Sequence, residues 1–351
     1  MPNHCNPLRK KTAIRLVTFI ILLYTFAGLG LSVNYMINFT ERIMKNFLVY
    51  PVAVILMAAL FLLAACERGA EAQFELNWDG PLVHSVVRND MHNPNSLIDV
   101  PMLMRIVERA ADNFVILDVS PNPEDVIPTA IWIDRSTLLR NFEGNFNASQ
   151  PFEVLVSIFE ANGIGNDTTV IVYDNANGMH AGRFFWWLRA MGHPDVRLLD
   201  GGLRAWEDSG QPLQAMASPP PPPARFTATN NLQYHYVGLA HVLYAQTSPA
   251  WTILDTRSPG EFNSGRIPGA ILLSYIGDFI NPDFTFRTLA EYEQSFAGLS
   301  RDTGLILYCG GGLRSAVAYF VFTEILNWPQ PVRMYEGGWN NWSWAGAPVE
   351  N

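Results

Sequence analysis

The sequence is poor in cysteine. Its 351 residues include only Cys5, Cys66 and Cys309, far apart and odd in number. No Cys-x-x-Cys pair occurs, which excludes a disulfide framework and a structural zinc site. The seven histidines are scattered, without a His-Glu-x-x-His spacing. His180, His193, His235 and His241 read as core or surface residues rather than ligands, so no metal and no cofactor are expected. Charge is also scarce, at 16% of residues with a net charge of −9. No basic stripe follows the N-terminal region, which argues against a nucleic-acid partner. The one basic cluster, Arg9, Lys10 and Lys11 with Arg15, precedes an apolar run and reads as a targeting flank. Hydrophobic residues make up 49% of the chain, enough for a large core plus a membrane-directed segment. The length suggests two domains once that segment is set aside.

Residues 1–75 read as targeting or membrane segments. One apolar stretch covers residues 14–37 and a second covers residues 47–65. The second ends in Leu63-Ala64-Ala65-Cys66, which resembles a bacterial lipobox, with Met44-Lys45-Asn46 as a short basic n-region. If the chain starts at Met44, Cys66 is the lipidated residue and the protein is an extracytoplasmic lipoprotein, periplasmic or at the cell surface of a bacterium. If it starts at Met1, both stretches are long enough to span a bilayer, since about 20 apolar residues suffice. They would then form a hairpin that returns the rest of the chain to the cytoplasm. The lipobox reading is favoured, because small residues and Cys66 fall where an h-region ends. Either way the partner is a membrane, and residues 67–73 are a polar tether.

The most informative run is Leu305-Ile306-Leu307-Tyr308-Cys309-Gly310-Gly311-Gly312-Leu313-Arg314-Ser315. A short apolar strand ends in a cysteine, three glycines follow, and a helical pattern begins near Ala316. Glycine lets the backbone N–H groups of such a loop turn inward at little steric cost. N–H groups gathered at a helix N-terminus stabilise negative charge. A thiol held there beside Arg314 should titrate below its free value and act as a nucleophile. A lone cysteine is more often a small buried hydrophobe. Cysteine, three glycines and arginine together at a strand-to-helix junction favour chemistry.

The rest of the chain is duplicated. Val170-Ile171-Val172-Tyr173-Asp174 matches Leu305-Ile306-Leu307-Tyr308-Cys309. Leu199-Asp200-Gly201-Gly202-Leu203-Arg204-Ala205-Trp206 matches Tyr335-Glu336-Gly337-Gly338-Trp339-Asn340-Asn341-Trp342, with Gly210 and Pro212 at the offsets of Gly346 and Pro348. Val115-Ile116-Leu117-Asp118 matches Thr252-Ile253-Leu254-Asp255, and Val126-Ile127-Pro128 matches Arg266-Ile267-Pro268. Pro219 to Pro223 form an extended spacer between the halves. The expected domains are residues 77–216, a proline-rich linker at 217–225, and residues 226–351. Each half alternates β-branched runs with helical patterns (residues 182–191 and 316–326). The fold class is therefore α/β, with a mainly parallel sheet flanked by helices in each half. Ligands in such sheets bind at the carboxyl ends of the strands, where Cys309 lies.

Together these motifs resemble the rhodanese family of sulfurtransferases, specifically its tandem two-domain members. Asp255-Thr256-Arg257-Ser258-Pro259-Gly260-Glu261-Phe262 is similar to the family's first signature, and Gly265-Arg266-Ile267-Pro268-Gly269-Ala270 to the second, with Arg266 where many members have His. Residues 309–314 resemble the active-site loop, and Glu336-Gly337-Gly338-Trp339 the terminal signature. The resemblance implies that Cys309 carries sulfur as a persulfide and that Gly310, Gly311, Gly312, Leu313 and Arg314 line the site. It implies a first half inactive through Asp174, with buttressing of the active site as its role. The donor would be thiosulfate, the acceptor cyanide or a thiol; 3-mercaptopyruvate is the alternative donor. Arg314 either contacts the donor or braces the loop. Arg257 is a candidate donor contact, although an ion pair with Glu261 that fixes the fold is the favoured reading. Trp339, Trp342 and Trp344 read as core and lid packing. A non-catalytic, persulfide-carrying or redox-sensing lipoprotein would show the same motifs. A cysteine phosphatase is less favoured, because its loop is one residue longer than the four residues between Cys309 and Arg314.

Overall fold

A computed structural model describes residues 90–109, 113–142 and 144–351. Cys5, Met44, Cys66 and both apolar N-terminal stretches lie outside the described residues. Among the described residues, no helix is long and apolar enough to cross a membrane. Both halves of the repeat belong to one compact unit spanning residues 79–351.

The first half runs β1 (Leu97–Ile98), α1 (Val100–Arg109), β2 (Phe114–Asp118), β3 (Ile131–Trp132), β4 (Leu139–Phe142), β5 (Asn145–Ser149), α2 (Phe152–Ala161), β6 (Thr169–Tyr173), α3 (Met179–Ala190), β7 (Val196–Leu199) and α4 (Gly202–Asp208). The second half runs α5 (Leu232–His235), β8 (Tyr236–Val237), α6 (Leu239–Ala245), β9 (Trp251–Asp255), α7 (Pro259–Asn263), β10 (Ile271–Leu272), α8 (Leu289–Ser295), β11 (Gly304–Tyr308), α9 (Arg314–Phe320), β12 (Val332–Tyr335) and α10 (Gly338–Trp344).

Each half contains a five-stranded sheet, in the order β1-β7-β6-β2-β3 and its counterpart β8-β12-β11-β9-β10. Every pairing in these two sheets is parallel. Parallel strands must be joined by crossovers that cover the sheet, so central strands are apolar along their whole length. β11 is buried at all five positions, and β6 at four of five. The hairpin β4–β5 is the antiparallel addition of the first half.

The repeat extends to single hydrogen bonds. The Ile127 N–H donates to Tyr173 Oη at 3.0 Å, and the Ile267 N–H to Tyr308 Oη at 3.2 Å. Trp206 Nε1 donates to the Pro212 carbonyl at 2.9 Å, and Trp342 Nε1 to the Pro348 carbonyl at 2.7 Å. The halves share one apolar core. Its centre is the crossing of α3 and α9, where Gly182 lies against Val317 and Phe185 meets Phe320 edge-on at 4.8 Å. These are the helices that follow Asp174 and Cys309, so their packing brings the two equivalent loops to the same interface.

Candidate active site

Cys309 follows the last residue of β11, and α9 begins at Arg314. The loop between them is held from behind by α10. The Trp339 N–H donates to the Cys309 carbonyl at 2.8 Å, and the Asn340 N–H to the Gly310 carbonyl at 3.0 Å. With these carbonyls turned toward α10, N–H groups of the loop face the sulfur. The Gly312 N–H points at Cys309 Sγ from 3.2 Å, and Ser315 Oγ lies 3.8 Å from it. Two positions need glycine. A Cβ on Gly338, at φ +53°, would fall 2.3 Å from the Cys309 carbonyl oxygen. Gly312 has φ +88°, a region that side chains rarely adopt.

Cys309 is 2% exposed. Burial alone pushes its thiol up, but the Arg314 charge, N–H groups of Ser315 and Gly311, and the Ser315 hydroxyl outweigh that effect. The net shift is downward, toward the thiolate, which is the nucleophilic form.

Arg314 braces the loop. Its guanidinium makes a bidentate pair with Glu261, Nη1 to Oε2 at 2.7 Å and Nη2 to Oε1 at 2.8 Å. Glu261 is also the third residue of α7, and its carboxylate accepts from the Ser258 N–H and hydroxyl in a capping box. Mainly through Arg314, its pKa is lowered to about 2. Gly310, Gly311, Gly312 and Leu313 form the loop itself.

Arg257 corrects the sequence reading. Its partner is Asp255, at 2.7 Å from Nη2 to Oδ2, and not Glu261. Nη2 also donates to the Gly265 carbonyl at 2.7 Å, and the guanidinium stacks 4.5 Å from the Trp339 ring. The side chain is buried, and its fork is taken up by Asp255 and the Gly265 carbonyl. The two residues stand two apart at the end of β9, on one face of the extended chain, which makes the local acid the nearer one. Trp342 is buried as expected, whereas Trp344 is exposed.

In the first half the equivalent position is filled. The Asp174 carboxylate accepts from the N–H groups of Ala176, Gly178 and Ala181, each at 2.8 Å. The same kind of anion-binding loop is closed around its own side chain.

Two residues that touch the active loop, and a third that touches Glu336 beside it, were missed by sequence reasoning, and all lie in the first half. Asn147 on β5 sits against Gly311, where a Cβ would fall 2.5 Å from Asn147 Nδ2. Arg183 on α3 is 1% exposed and forms an ion pair with Glu336. Ser149 donates its N–H to Glu336 Oε1 at 2.9 Å. A signal for Arg183 was present: it is the one charge within Gly182-Arg183-Phe184-Phe185-Trp186-Trp187. A cation in a run that must be buried requires a buried partner. Among the described residues, no group of three or more His, Cys, Asp or Glu side chains lies close enough to hold a metal ion.

Comparison with known proteins decides the family. The profile of the rhodanese-like domain matches twice, at residues 105–209 and 240–345. The chain belongs to the rhodanese-like family. The sulfur carrier protein TtuD of Thermus thermophilus is 30% identical over 220 residues, covering 56% of this chain and 76% of that one. A thiosulfate sulfurtransferase of Corynebacterium glutamicum is 31% identical over 217 residues, covering 56% and 71%. Among solved structures, a variant of EanB in complex with hercynine superposes with a TM-score of 0.67 at 25% identity, covering 74% of this chain and 70% of that one. The two rhodanese-like domains and these relatives support sulfurtransferase activity as the chain's class of chemistry.

Proposed function

We propose that this chain moves a sulfane sulfur from thiosulfate to a thiophilic acceptor through a persulfide on Cys309. The observation that carries the reading is the Cys309 sulfur, lowered in pKa and faced by the Gly312 N–H within a loop of inward N–H groups. The thiolate attacks the outer sulfur of thiosulfate. A sulfur–sulfur bond forms, and the donor's sulfur–sulfur bond breaks with its electron pair leaving as sulfite. A thiolate or cyanide then attacks the terminal sulfur, and Cys309 leaves as thiolate. Each step is a two-electron displacement, so no oxidant is needed. The loop N–H groups hold negative charge on the resting thiolate and the persulfide alike.

The nearby cations support this assignment of roles. Arg314, Arg257 and Arg183 are each engaged by a carboxylate, which leaves the loop's N–H groups as the main anion donors. The donor is therefore tested directly, with thiosulfate and 3-mercaptopyruvate assayed side by side against cyanide. Thiosulfate turnover with parallel double-reciprocal lines is the expected result. Turnover with mercaptopyruvate alone would replace the donor, and a failure of both would leave the carrier reading, which the name of TtuD favours. The tight loop speaks against a phosphatase.

The location is part of the proposal. Cys66 is proposed as a lipid anchor that tethers the enzyme outside the cytoplasm. Cys66→Ser should then remove the acyl mass and block processing. An unmodified Cys66 in an uncleaved segment would favour the membrane hairpin.

A further inference from the structure

The active loop's most constrained residue is pressed against the cysteine-less half. A Cβ on Gly312 would lie 2.7 Å from Arg183 Nη1 and 3.1 Å from the Glu336 carbonyl oxygen. Gly312 is also the residue whose N–H meets Cys309 Sγ. Arg183 Nη1 lies 3.5 Å from the Gly312 carbonyl, and Nη2 donates to Ser149 Oγ at 3.3 Å. Its guanidinium is fixed from three directions: by the ion pair with Glu336, and by the rings of Trp186 and Trp187 at 4.7 Å and 4.9 Å. Ser149 in turn fixes Glu336. A cation this deeply buried is costly unless it is paired, and its pairing is complete. The fold therefore carries a rigid, charged strut from α3 and β5 to the second residue before Arg314. Burial pulls the Arg183 pKa down, while Glu336 and the Cys309 thiolate draw it back up, so the guanidinium and the sulfur lie within electrostatic reach.

We propose that Arg183 is a positioning residue for the nucleophile of the other half: it wedges Gly312 into the conformation whose N–H meets Cys309 Sγ. The first half would then be a working part of the active site, although Asp174 leaves it without a nucleophile. The proposal deepens the sulfurtransferase reading, yet its test needs no sulfur donor.

The experiment follows alkylation of Cys309 by iodoacetamide as a function of pH in the full chain, read at the Cys309 peptide by mass spectrometry. Arg183→Met alone would strand a buried carboxylate, so it is combined with Glu336→Gln. The double variant removes both members of the ion pair and so leaves the net charge unchanged; its midpoint should still rise by about one pH unit, because the Gly312 N–H loses its alignment on the sulfur. Arg183→Lys keeps the charge but loses the planar fork, and its midpoint should fall between the two. Thiosulfate turnover should lose kcat with KM nearly constant. A folded double variant with the wild-type midpoint would overturn the proposal. If the double variant does not fold, a wild-type midpoint in Arg183→Lys overturns it equally. A wild type that alkylates at low pH but accepts no sulfur would refute the sulfurtransferase reading and leave this one standing.

Discussion

The two halves use the same backbone device for opposite ends. Each places a residue after an apolar strand, beneath a tyrosine whose hydroxyl accepts from an isoleucine N–H. Each then turns N–H groups inward before a helix. In the first half Asp174 supplies the anion itself, and its carboxylate takes up the N–H groups of Ala176, Gly178 and Ala181. In the second half Cys309 supplies a sulfur that is anionic only as the thiolate, and the Gly312 N–H faces it. A carboxylate is a permanent occupant with no use as a sulfur carrier. A thiolate fills the same role and remains able to attack and to leave. On this account the occupant of the loop is what separates the two halves, since the hydrogen bonds around it are repeated.

The harshest way to break this comparison is Cys309→Ser. A hydroxyl cannot form a persulfide, so sulfur transfer should vanish while the circular dichroism spectrum stays native. Substantial turnover in the variant would remove Cys309 from the mechanism. Next in size is one glycine inserted between Gly311 and Gly312. A displacement of about 1 Å costs on the order of a hundredfold in rate, so thiosulfate turnover should fall steeply. Inhibition by arsenate should strengthen as the ring of donors widens; unchanged turnover would reopen the phosphatase reading. Gly312→Ala is milder. At φ +88°, with Arg183 Nη1 at 2.7 Å from the new Cβ, it should cost about 1–3 kcal/mol of strain. Turnover should drop with the loss of the Gly312 N–H alignment, and a fully active variant would show that this contact is dispensable.

The other side of the comparison predicts smaller effects. Asp174→Ala leaves buried N–H groups without their acceptor, a loss of about 1–3 kcal/mol in stability. Thiosulfate turnover per folded molecule should remain, and a loss as severe as that of Cys309→Ser would make the first half catalytic. The smallest effect concerns Glu261. Its pKa is depressed in the folded state to about 2 from an ordinary 4.5, so its contribution to stability is present above 4.5 and lost as the pH falls toward 2. Glu261 is part exposed, so solvent screening keeps that contribution small. Thermal melts at pH 6 and pH 3 should show a smaller acid penalty in Glu261→Gln than in the wild type, and an equal penalty would count against the pair.

Much of this arrangement was legible in the sequence. A strand that ends in Cys309 and three glycines locates the nucleophile, because few other backbones need that composition. The matched Trp206 and Trp342, each followed by a proline at the same offset, announce a repeat that the structure extends to individual hydrogen bonds. What was not legible depends on distance along the chain. Arg183 and Glu336 are 153 residues apart, and only the packing of the two halves on each other joins them. Arg257 has an acid two residues before it and another four after it, and spacing alone does not choose between them. The helices also start earlier than their apolar patterns, at Met179 and Arg314, with polar residues in their first turns.

The central claim is that the glycine-lined loop holds a sulfur-bearing anion where its counterpart holds a carboxylate. Mass spectrometry of the full chain after brief exposure to thiosulfate tests it most directly. The account predicts one added sulfur, confined to the Cys309 peptide, lost again on addition of cyanide and absent in Cys309→Ser. An unmodified Cys309 peptide, in a protein whose thiol still alkylates readily at neutral pH, would contradict it.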